Sequence, residues 1–191
     1  MPPKVKITKD DIVKTALELV RTNGEQSLNA RTIAATLNCS TQPIFSNFDN
    51  MDSLREAVIS SAYSRYLETI EREINSGKYP EYKAFGMAYV RFADEEKELF
   101  KLLFMRDRTS EDLSPPSDYE RSVQLIMKVN NVSYETATLM HLEVWTCVHG
   151  IGVMIATSFL KLEWETISRM LSDVYLGIRE RHLQEKNNEG N

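Results

Sequence analysis

The chain has 191 residues, of which 42% are hydrophobic and 27% are charged, and its net charge at pH 7 is −5. An acidic balance argues against a protein coated for nonspecific binding to nucleic acid or anionic membranes. The hydrophobic share is large enough for a folded core and excludes disorder by composition. Two distant cysteines and an N-terminus without an apolar segment indicate a cytoplasmic protein with reduced thiols.

Three short helices are predicted within the first fifty residues, each following a residue that commonly caps a helix. The predicted N-caps are Thr8, which forms a capping-box pattern with Asp11, then Asn29 and Ser40. The first helix is expected to end at Asn23-Gly24, because glycine readily adopts a left-handed conformation. The second and third helices are joined by a tight turn in which Asn38 is left-handed. This pattern predicts a helix-turn-helix whose second helix enters the major groove of DNA.

Longer helices are predicted from Met51 onward, which makes the fold class all-α. Only 7 Gly and 6 Pro are present, mostly at the edges of periodic segments, and this favours helices over strands. About six helices are expected here, at 51–75, from 80, from the acidic run 94–96, at 117–129, 133–160 and 163–182. The expected domains are a helix-turn-helix domain at 1–50 and a larger domain at 51–191. The longest uncharged run, 144–160, is broken by two glycines and is shorter than the ~20 apolar residues of a membrane span.

The residues of the helix-turn-helix resemble the TetR/AcrR family of transcriptional regulators. The run Leu28–Phe48 and the following Asp49–Leu54 are similar to that family's capped Ile-Ala helix, Ala-Gly-Val-Ser turn, Leu-Tyr-x-His-Phe recognition helix and Lys-x-x-Leu helix start. The spacing is kept at Ile33-Ala34, Ser40, Ile44, Phe48 and Leu54. The resemblance implies a three-helix, homeodomain-like head and a helical regulatory bundle. It also implies a symmetric dimer on a palindromic operator in double-stranded DNA, with a small ligand that alters the separation of the two recognition helices.

Candidate DNA contacts follow from the resemblance and from the position of each helix. Gln42 can form a bidentate pair with adenine, and the Thr41 methyl or the Pro43 ring can contact a thymine methyl. The expected DNA-binding residues are Lys4, Lys6, Arg31, Thr32, Ser40, Thr41, Gln42, Pro43, Phe45 and Asn47.

Within this set, phosphate contacts are expected from Arg31, Ser40 and Asn47, and from an N-terminal arm made of Lys4, Lys6 and the following Lys9. The alternative is that Ser40 and Asn29 only cap helices and that the arm is only a solvated tail.

Three departures from the family pattern bear on DNA affinity. Phe45 stands where the family usually has Tyr, so a hydroxyl that commonly touches phosphate is missing. Asn47 replaces the usual His, and Met51 replaces the usual Lys at the start of the next helix. These changes affect nonspecific affinity more than the fold.

The charge is unevenly divided along the chain. Residues 1–48 carry 6 Lys or Arg and 4 Asp or Glu, a net +2, whereas residues 49–191 carry 17 and 24, a net −7. The acidity therefore belongs to the larger domain. Because +2 is modest, affinity for DNA is expected to rely on dimerisation and on a few placed contacts.

The helix predicted at 133–160 is apolar on every side, so it must be buried on more than one side. The apolar surface of the last helix is similarly broad, and together the two helices predict an isologous homodimer interface of four helices. Gly150, Gly152 and Ala156 favour close approach of helices, because a mid-helix glycine costs ~1 kcal/mol relative to alanine. The alternative is a core formed entirely within one chain.

A largely apolar cavity for an unidentified small effector is expected in the larger domain, with a histidine as its polar group. The candidate lining residues are Phe85, Tyr89, Phe100, Phe104, Met127, His141, Trp145 and His149. The run Trp145-x-x-x-His149-Gly150 also resembles a Trp-His-Gly signature of one group of C-terminal domains in the family. The alternative is that these side chains are ordinary core.

The sequence contains no pattern that supports catalysis, a metal site or a cofactor. His141 and His149 are eight residues apart, about 12 Å along a helix at ~1.5 Å per residue, so they cannot share a metal without a bend. There is no Cys-x-x-Cys, no Gly-rich phosphate loop and no Gly-x-Ser-x-Gly. We interpret the sequence as a ligand-responsive transcriptional repressor and not as an enzyme. The alternative is a helical ligand-binding or protein-interaction module with a weakened DNA-binding head.

Overall fold

The computed structural model describes residues 7–109 and 117–189. Within these ranges the regular structure is helical, with nine α-helices, a short 3-10 helix at Glu25–Ser27 and no strand. The α-helices are α1 Lys9–Asn23, α2 Ala30–Thr36, α3 Gln42–Asn47, α4 Met51–Asn75, α5 Glu81–Glu95, α6 Lys97–Phe104, α7 Ser117–Asn130, α8 Tyr134–Ala156 and α9 Trp164–Glu189. The predicted all-α fold is confirmed.

Local chemistry sets the ends of the first two helices. The Thr8 hydroxyl accepts the N–H of Asp11 at 3.1 Å while the Asp11 carboxylate accepts the N–H of Thr8 at 3.0 Å. Asn29 caps α2 by accepting the N–H of Thr32 at 2.9 Å. Gly24 ends α1 with φ +79°, a conformation that costs glycine little. The predicted caps at Thr8 and Asn29 and the predicted stop at Gly24 are confirmed.

The prediction that Ser40 caps α3 is wrong. The N-cap is Thr41, one residue later, and its side chain makes no capping hydrogen bond. A capping side chain accepts the N–H of the second or third helical residue. Pro43 occupies one of these positions under either assignment and has no N–H to donate. The short helix is stabilised instead by the burial of Ile44 within it and of Phe48 directly after it.

The acidic run 94–96 was expected to begin a helix, but most of it ends one. Residues 94 and 95 form the end of α5, and only Glu96 lies at the N-cap of α6. Glu95 pairs with Arg91 at 3.7 Å on its own helix and with Arg72 of α4 at 2.7 Å, so a partner distant in sequence helps to hold it on α5. Tertiary ion pairing therefore overrides the preference of acidic residues for helix N-termini.

The last two helices also differ from their predicted limits. α8 ends at Ala156, not at residue 160, and Ser158 follows with φ +58°. α9 begins one residue later than predicted and continues past His182 to Glu189. The predicted N-cap of α8 is confirmed, because the Ser133 hydroxyl accepts the N–H of Thr136 at 3.1 Å.

The chain folds into two compact units that divide within α4. The first unit contains the described residues through Arg65 together with Glu96–Arg106, so it includes α1 to α3, the first part of α4, and α6. Its buried apolar residues include Ile12, Ala16, Val20, Ile33, Ile44, Leu54, Val58, Leu99 and Leu102. The unit takes in part of α4 because Leu54 and Val58 are buried in the same core as the head.

A buried carboxylate joins three helices of the first unit. Glu96 is 9% exposed, and its Oε1 lies 2.7 Å from Nη2 of Arg65 in α4. Its Oε2 lies 3.7 Å from Nη1 of Arg21 in α1, and Arg21 also pairs with Glu18 at 2.9 Å. Because a buried charge is costly without partners, the two guanidinium groups fix the start of α6 relative to α1 and α4.

The second unit contains Tyr66–Glu95 and the described residues from Asp107 onward. α8 is its central helix and packs against α5, α7 and α9. One buried cluster consists of Val123, Ile126, Ala137 and Met140. By length and composition α8 could span a membrane, but 44% of its most apolar stretch is already buried inside the protein. This burial is typical of the central helix of a globular unit.

Candidate nucleic-acid interface and ligand site

The helix-turn-helix consists of α2, a tight turn and α3. Asn38 has φ +51°, the left-handed conformation predicted for it. The N–H of Cys39 donates to the carbonyl of Ala34 at 3.0 Å, which closes the end of α2. Ile33 and Ile44 are fully buried, so the inward faces of both helices are held in the core of the first unit. Their opposite faces remain at the surface.

The predicted DNA contacts differ in exposure. The exposed ones are Arg31, Ser40, Gln42 and Phe45, and the half-buried ones are Thr32, Thr41, Pro43 and Asn47. The remaining two, Lys4 and Lys6, lie outside the described residues. Gln42 and Phe45 are three residues apart on α3, which places them on the same outward face.

Two predicted DNA contacts are hydrogen-bonded close to their own helices. The Asn47 amide donates to the carbonyl of Pro43 at 2.7 Å. The Thr32 hydroxyl donates to the side-chain oxygen of Asn29 at 2.9 Å. These bonds hold both side chains against the backbone. The outward-facing chemistry of the motif therefore comes mainly from Arg31 and from the residues of α3 that are exposed.

Lys9, expected to belong to an N-terminal arm, is the first residue of α1. Its ammonium group lies 4.9 Å from the centroid of the Phe48 ring, immediately after α3. An ammonium over an aromatic face is attracted to the ring. Lys9 is therefore a fixed positive charge of the head.

Two tyrosine–histidine pairs join α5 to α8 in the second unit. The Tyr82 hydroxyl lies 3.1 Å from Nδ1 of His141, and the Tyr89 hydroxyl lies 2.7 Å from Nδ1 of His149. The Trp145 ring stacks on the His149 ring, with centroids 5.0 Å apart and planes 20° from parallel. We call these five side chains the Tyr–His seam.

Burial keeps the Tyr–His seam uncharged near neutral pH. Desolvation lowers the pKa of His141 to about 4, an effect partly offset by the Asp118 carboxylate, and it also lowers the pKa of His149. Burial raises the pKa of the Tyr82 and Tyr89 hydroxyls. Each pair therefore offers hydrogen bonding without charge. In the described ranges, no group of three or more His, Cys, Asp or Glu side chains could hold a metal ion.

The other predicted ligand-lining residues do not lie together at one site. Phe85 is buried, and the Arg121 guanidinium lies 5.3 Å from the centroid of its ring. Met127 packs against the buried cluster of α7 and α8. Phe100 and Phe104, with ring centroids 5.2 Å apart, belong to the first unit. The apolar face of α6 contributes to that core, so these two residues are assigned to a different unit from the other six.

Tyr66, Tyr82 and Asp118 also lie in this region, although the sequence did not predict them as ligand-lining residues. The Tyr66 hydroxyl donates to the Asp118 carboxylate at 3.3 Å. Tyr82 could have been found from spacing, because it precedes Tyr89 by seven residues while the two histidines are eight apart. Such spacings place each pair on one face of its helix. Asp118 follows a segment without periodicity and carried no comparable signal.

Comparison with known proteins defines the class of fold. No protein-family model and no curated protein matches the sequence. Solved structures match over nearly the whole chain, and they place it among all-helical proteins with a TetR-like fold.

Two of these structures are from Rhodococcus sp. RHA1. One is a TetR-like transcriptional regulator, with 14% identity over 92% of this chain and 96% of that chain and a TM-score of 0.66. The other is a protein with unknown function, with 17% identity over 93% of this chain and 98% of that chain and a TM-score of 0.72. At these identities the likeness concerns the fold.

The pKa of His141 predicts a pH dependence of stability. An unfolded His titrates near 6.5 and the folded one near 4, so the unfolded chain binds more protons between these values. The free energy of unfolding should therefore fall as pH decreases from 6.5 to 4, with about 3 kcal/mol of the fall due to this group. His141→Gln keeps an acceptor for the Tyr82 hydroxyl but does not titrate. Urea denaturation across this range should show a shallower fall in the variant, and equal slopes would contradict the assignment.

Proposed function

We propose that the chain is a DNA-binding transcriptional regulator, a repressor that binds a palindromic operator as a dimer and is released by a small, largely apolar effector. The observation that carries this proposal is the exposed outer face of the helix-turn-helix, which presents Arg31, Gln42 and Phe45 from a head whose inner face is buried. The regulator among the structures with the same fold supports it. Such a protein acts in the cytoplasm, where the DNA is.

The contacts proposed for the head separate into base reading and phosphate positioning. Gln42 is exposed and is assigned the bidentate pair with adenine, while the half-buried Thr41 and Pro43 lie beside it. Arg31 and Ser40, both exposed, are assigned to phosphates. The N-terminal arm with Lys4 and Lys6 adds phosphate contacts in the same proposal. Residues 1–50 form the proposed DNA-binding domain, and 51–191 the ligand-sensing and dimerisation domain.

Dimerisation is proposed through the outward faces of α8 and α9. Large apolar side chains on these faces are exposed: Leu139 and Leu142 on α8 are 47% and 50% exposed, and Leu176 on α9 is 54% exposed. Leu139, Leu142 and the half-buried Val153 follow helical spacing along one side of α8. An exposed apolar stripe of this kind is typical of a protein–protein interface.

Two mid-helix glycines support the proposed dimer interface on α8 and α9. A methyl group added at Gly150 of α8 or at Gly177 of α9 would meet no atom of the described chain within 4 Å. A mid-helix glycine costs ~1 kcal/mol relative to alanine, and no close contact within the described chain accounts for either one. Close approach of the same two helices from a second chain provides a reason for both.

The effector is proposed to bind at the Tyr–His seam in the second unit. The seam combines aromatic surface with hydroxyl and imidazole groups that are neutral near pH 7. Neutral polar groups among aromatic side chains suit an uncharged, largely apolar molecule with one or two hydrogen-bonding groups. The buried Phe85 and the partly buried Met127 extend this apolar surface, with Trp145 at its exposed edge.

A second candidate function is a helical ligand-binding or protein-interaction module whose head no longer binds DNA. It is favoured by Phe45 and Met51, which lack the hydroxyl and the charge that the TetR/AcrR pattern has there, and by the hydrogen bond that holds Asn47 against α3. The two candidates differ in whether the head binds DNA in a salt-dependent and sequence-dependent way.

Substitutions in the head test DNA binding on a duplex selected from a random library. Gln42→Ala should weaken binding at least tenfold and relax selectivity at one adenine position. Arg31→Ala should weaken binding to all sequences and lower the slope of log affinity against log salt by about one per head. The measurement is fluorescence anisotropy at several salt concentrations.

The matched control is Glu68→Ala, an exposed position of α4 that should leave DNA binding unchanged. If no duplex is bound, or if both head variants bind like the wild type, the proposed function is wrong and the second candidate is favoured.

The effector site is tested by a thermal-shift screen against uncharged amphipathic molecules. A compound that raises the melting temperature of the wild type should have no effect on Tyr89→Phe or Trp145→Ala, because each removes part of the seam. Trp164→Phe changes the other tryptophan, whose ring centroid lies 4.4 Å from Cζ of Arg91. This variant should keep the rise in melting temperature that the compound causes in the wild type. Unchanged shifts in the Tyr89 and Trp145 variants would exclude the seam as the binding site.

A further inference from the structure

The aromatic ring of Phe45 faces outward from α3. Ile44, the preceding residue, and Phe48, the residue after α3, are 0% and 4% exposed, whereas Phe45 is 52% exposed. A single exposed apolar side chain is common on protein surfaces and means little alone. Here it lies one helical turn from Gln42, on the outer face of the second helix of a helix-turn-helix.

The polar side chains that follow Phe45 on α3 are turned back onto the helix. The Ser46 hydroxyl donates to the carbonyl of Gln42 at 2.9 Å, and the Asn47 amide donates to the carbonyl of Pro43 at 2.7 Å. Each side chain thus donates one hydrogen bond to the backbone of its own helix. Gln42 and Phe45 remain as the long side chains that α3 directs away from its own core.

The contacts that favour a phenyl ring are apolar ones, because the ring has no hydrogen-bonding group. Without a hydrogen-bonding group, Phe45 gains nothing at a phosphate oxygen or at the amide and carbonyl edges of bases. In the major groove the apolar group available to it is the 5-methyl of thymine, which phenylalanine is among the side chains known to contact. Burial of a methyl group against the ring removes apolar surface of both from water.

We propose that Phe45 reads the 5-methyl group of a thymine, so that one thymine in each half-site of the bound DNA is selected by this side chain. The inference rests on the proposed function and adds a specificity-determining residue to it. Gln42 then reads a purine by hydrogen bonds while Phe45, one turn later, reads a neighbouring thymine by its methyl group. Thr41 and Pro43, the alternative readers of a methyl group, are half-buried and therefore less available.

The test removes only the methyl group from the DNA. Each thymine of a selected duplex is replaced in turn by deoxyuridine, which keeps the base pair and lacks the 5-methyl. Wild-type protein should lose about fourfold in affinity per half-site at one position, the effect of about one buried methyl group. Phe45→Ala should bind the thymine duplex more weakly and should not distinguish thymine from deoxyuridine there.

Two control variants assign the effect to this ring. Phe45→Tyr keeps the ring and should keep the discrimination, while Thr41→Ser removes the competing methyl group and should also keep it. Because Phe45 is exposed, its alanine variant should unfold at the wild-type urea concentration, which shows that the head is intact.

The outcomes separate the inference from the function on which it rests. If no duplex is bound, both are wrong. If a duplex is bound but no thymine position responds to deoxyuridine, or if Phe45→Ala retains the response, the role of Phe45 is wrong while DNA binding stands. Loss of the response in Thr41→Ser also overturns the assignment to Phe45.

Discussion

The central helix α8 has no continuous polar face, and the second unit is arranged around that constraint. A helix of this kind must be covered on more than one side. α5, α7 and α9 cover part of it, yet Leu139 and Leu142 remain about half exposed and Gly150 faces open space. The exposed apolar side of α8 is therefore a consequence of the same apolar composition that lets this helix form the core of the unit. Pairing of two chains through this side would complete its burial and would bring two helix-turn-helix motifs into one assembly.

Two hydrogen-bonded tyrosine–histidine pairs lie between α8 and α5. Tyr82 and Tyr89 reach His141 and His149 across the two helices, and desolvation keeps all four groups uncharged. Buried polar groups are tolerated when they are hydrogen-bonded to each other, as these are. Trp145 stacks on His149 and is 40% exposed, so one side chain connects this interior with the outward surface of α8.

Features encoded by neighbouring residues could be predicted, whereas those set by distant partners could not. The Thr8 cap and the stop at Gly24 each depend on a few adjacent residues, and the sequence identified both. Ser40 has the residue type of an N-cap, but α3 begins after Thr41 and Pro43 in its first turn has no N–H to donate. The ion pair with Arg72 helps to hold Glu95 on α5. Phe100 belongs to the first unit because α6 packs within that unit. The Tyr–His pairs depend on the register of α5 against α8, which sequence periodicity does not determine.

The most direct test of the dimer proposed here is the mass of the protein in solution before and after Gly150→Leu. The wild type should have a mass of about 44 kDa by light scattering, twice the 22.0 kDa of one chain. Gly150→Leu should have the mass of one chain and still fold, because a Cβ added at this position meets no atom of the described chain within 4 Å. The control Glu68→Leu, exposed on α4, should remain a dimer. A wild type of 22 kDa, or a folded Gly150→Leu dimer, would contradict the account.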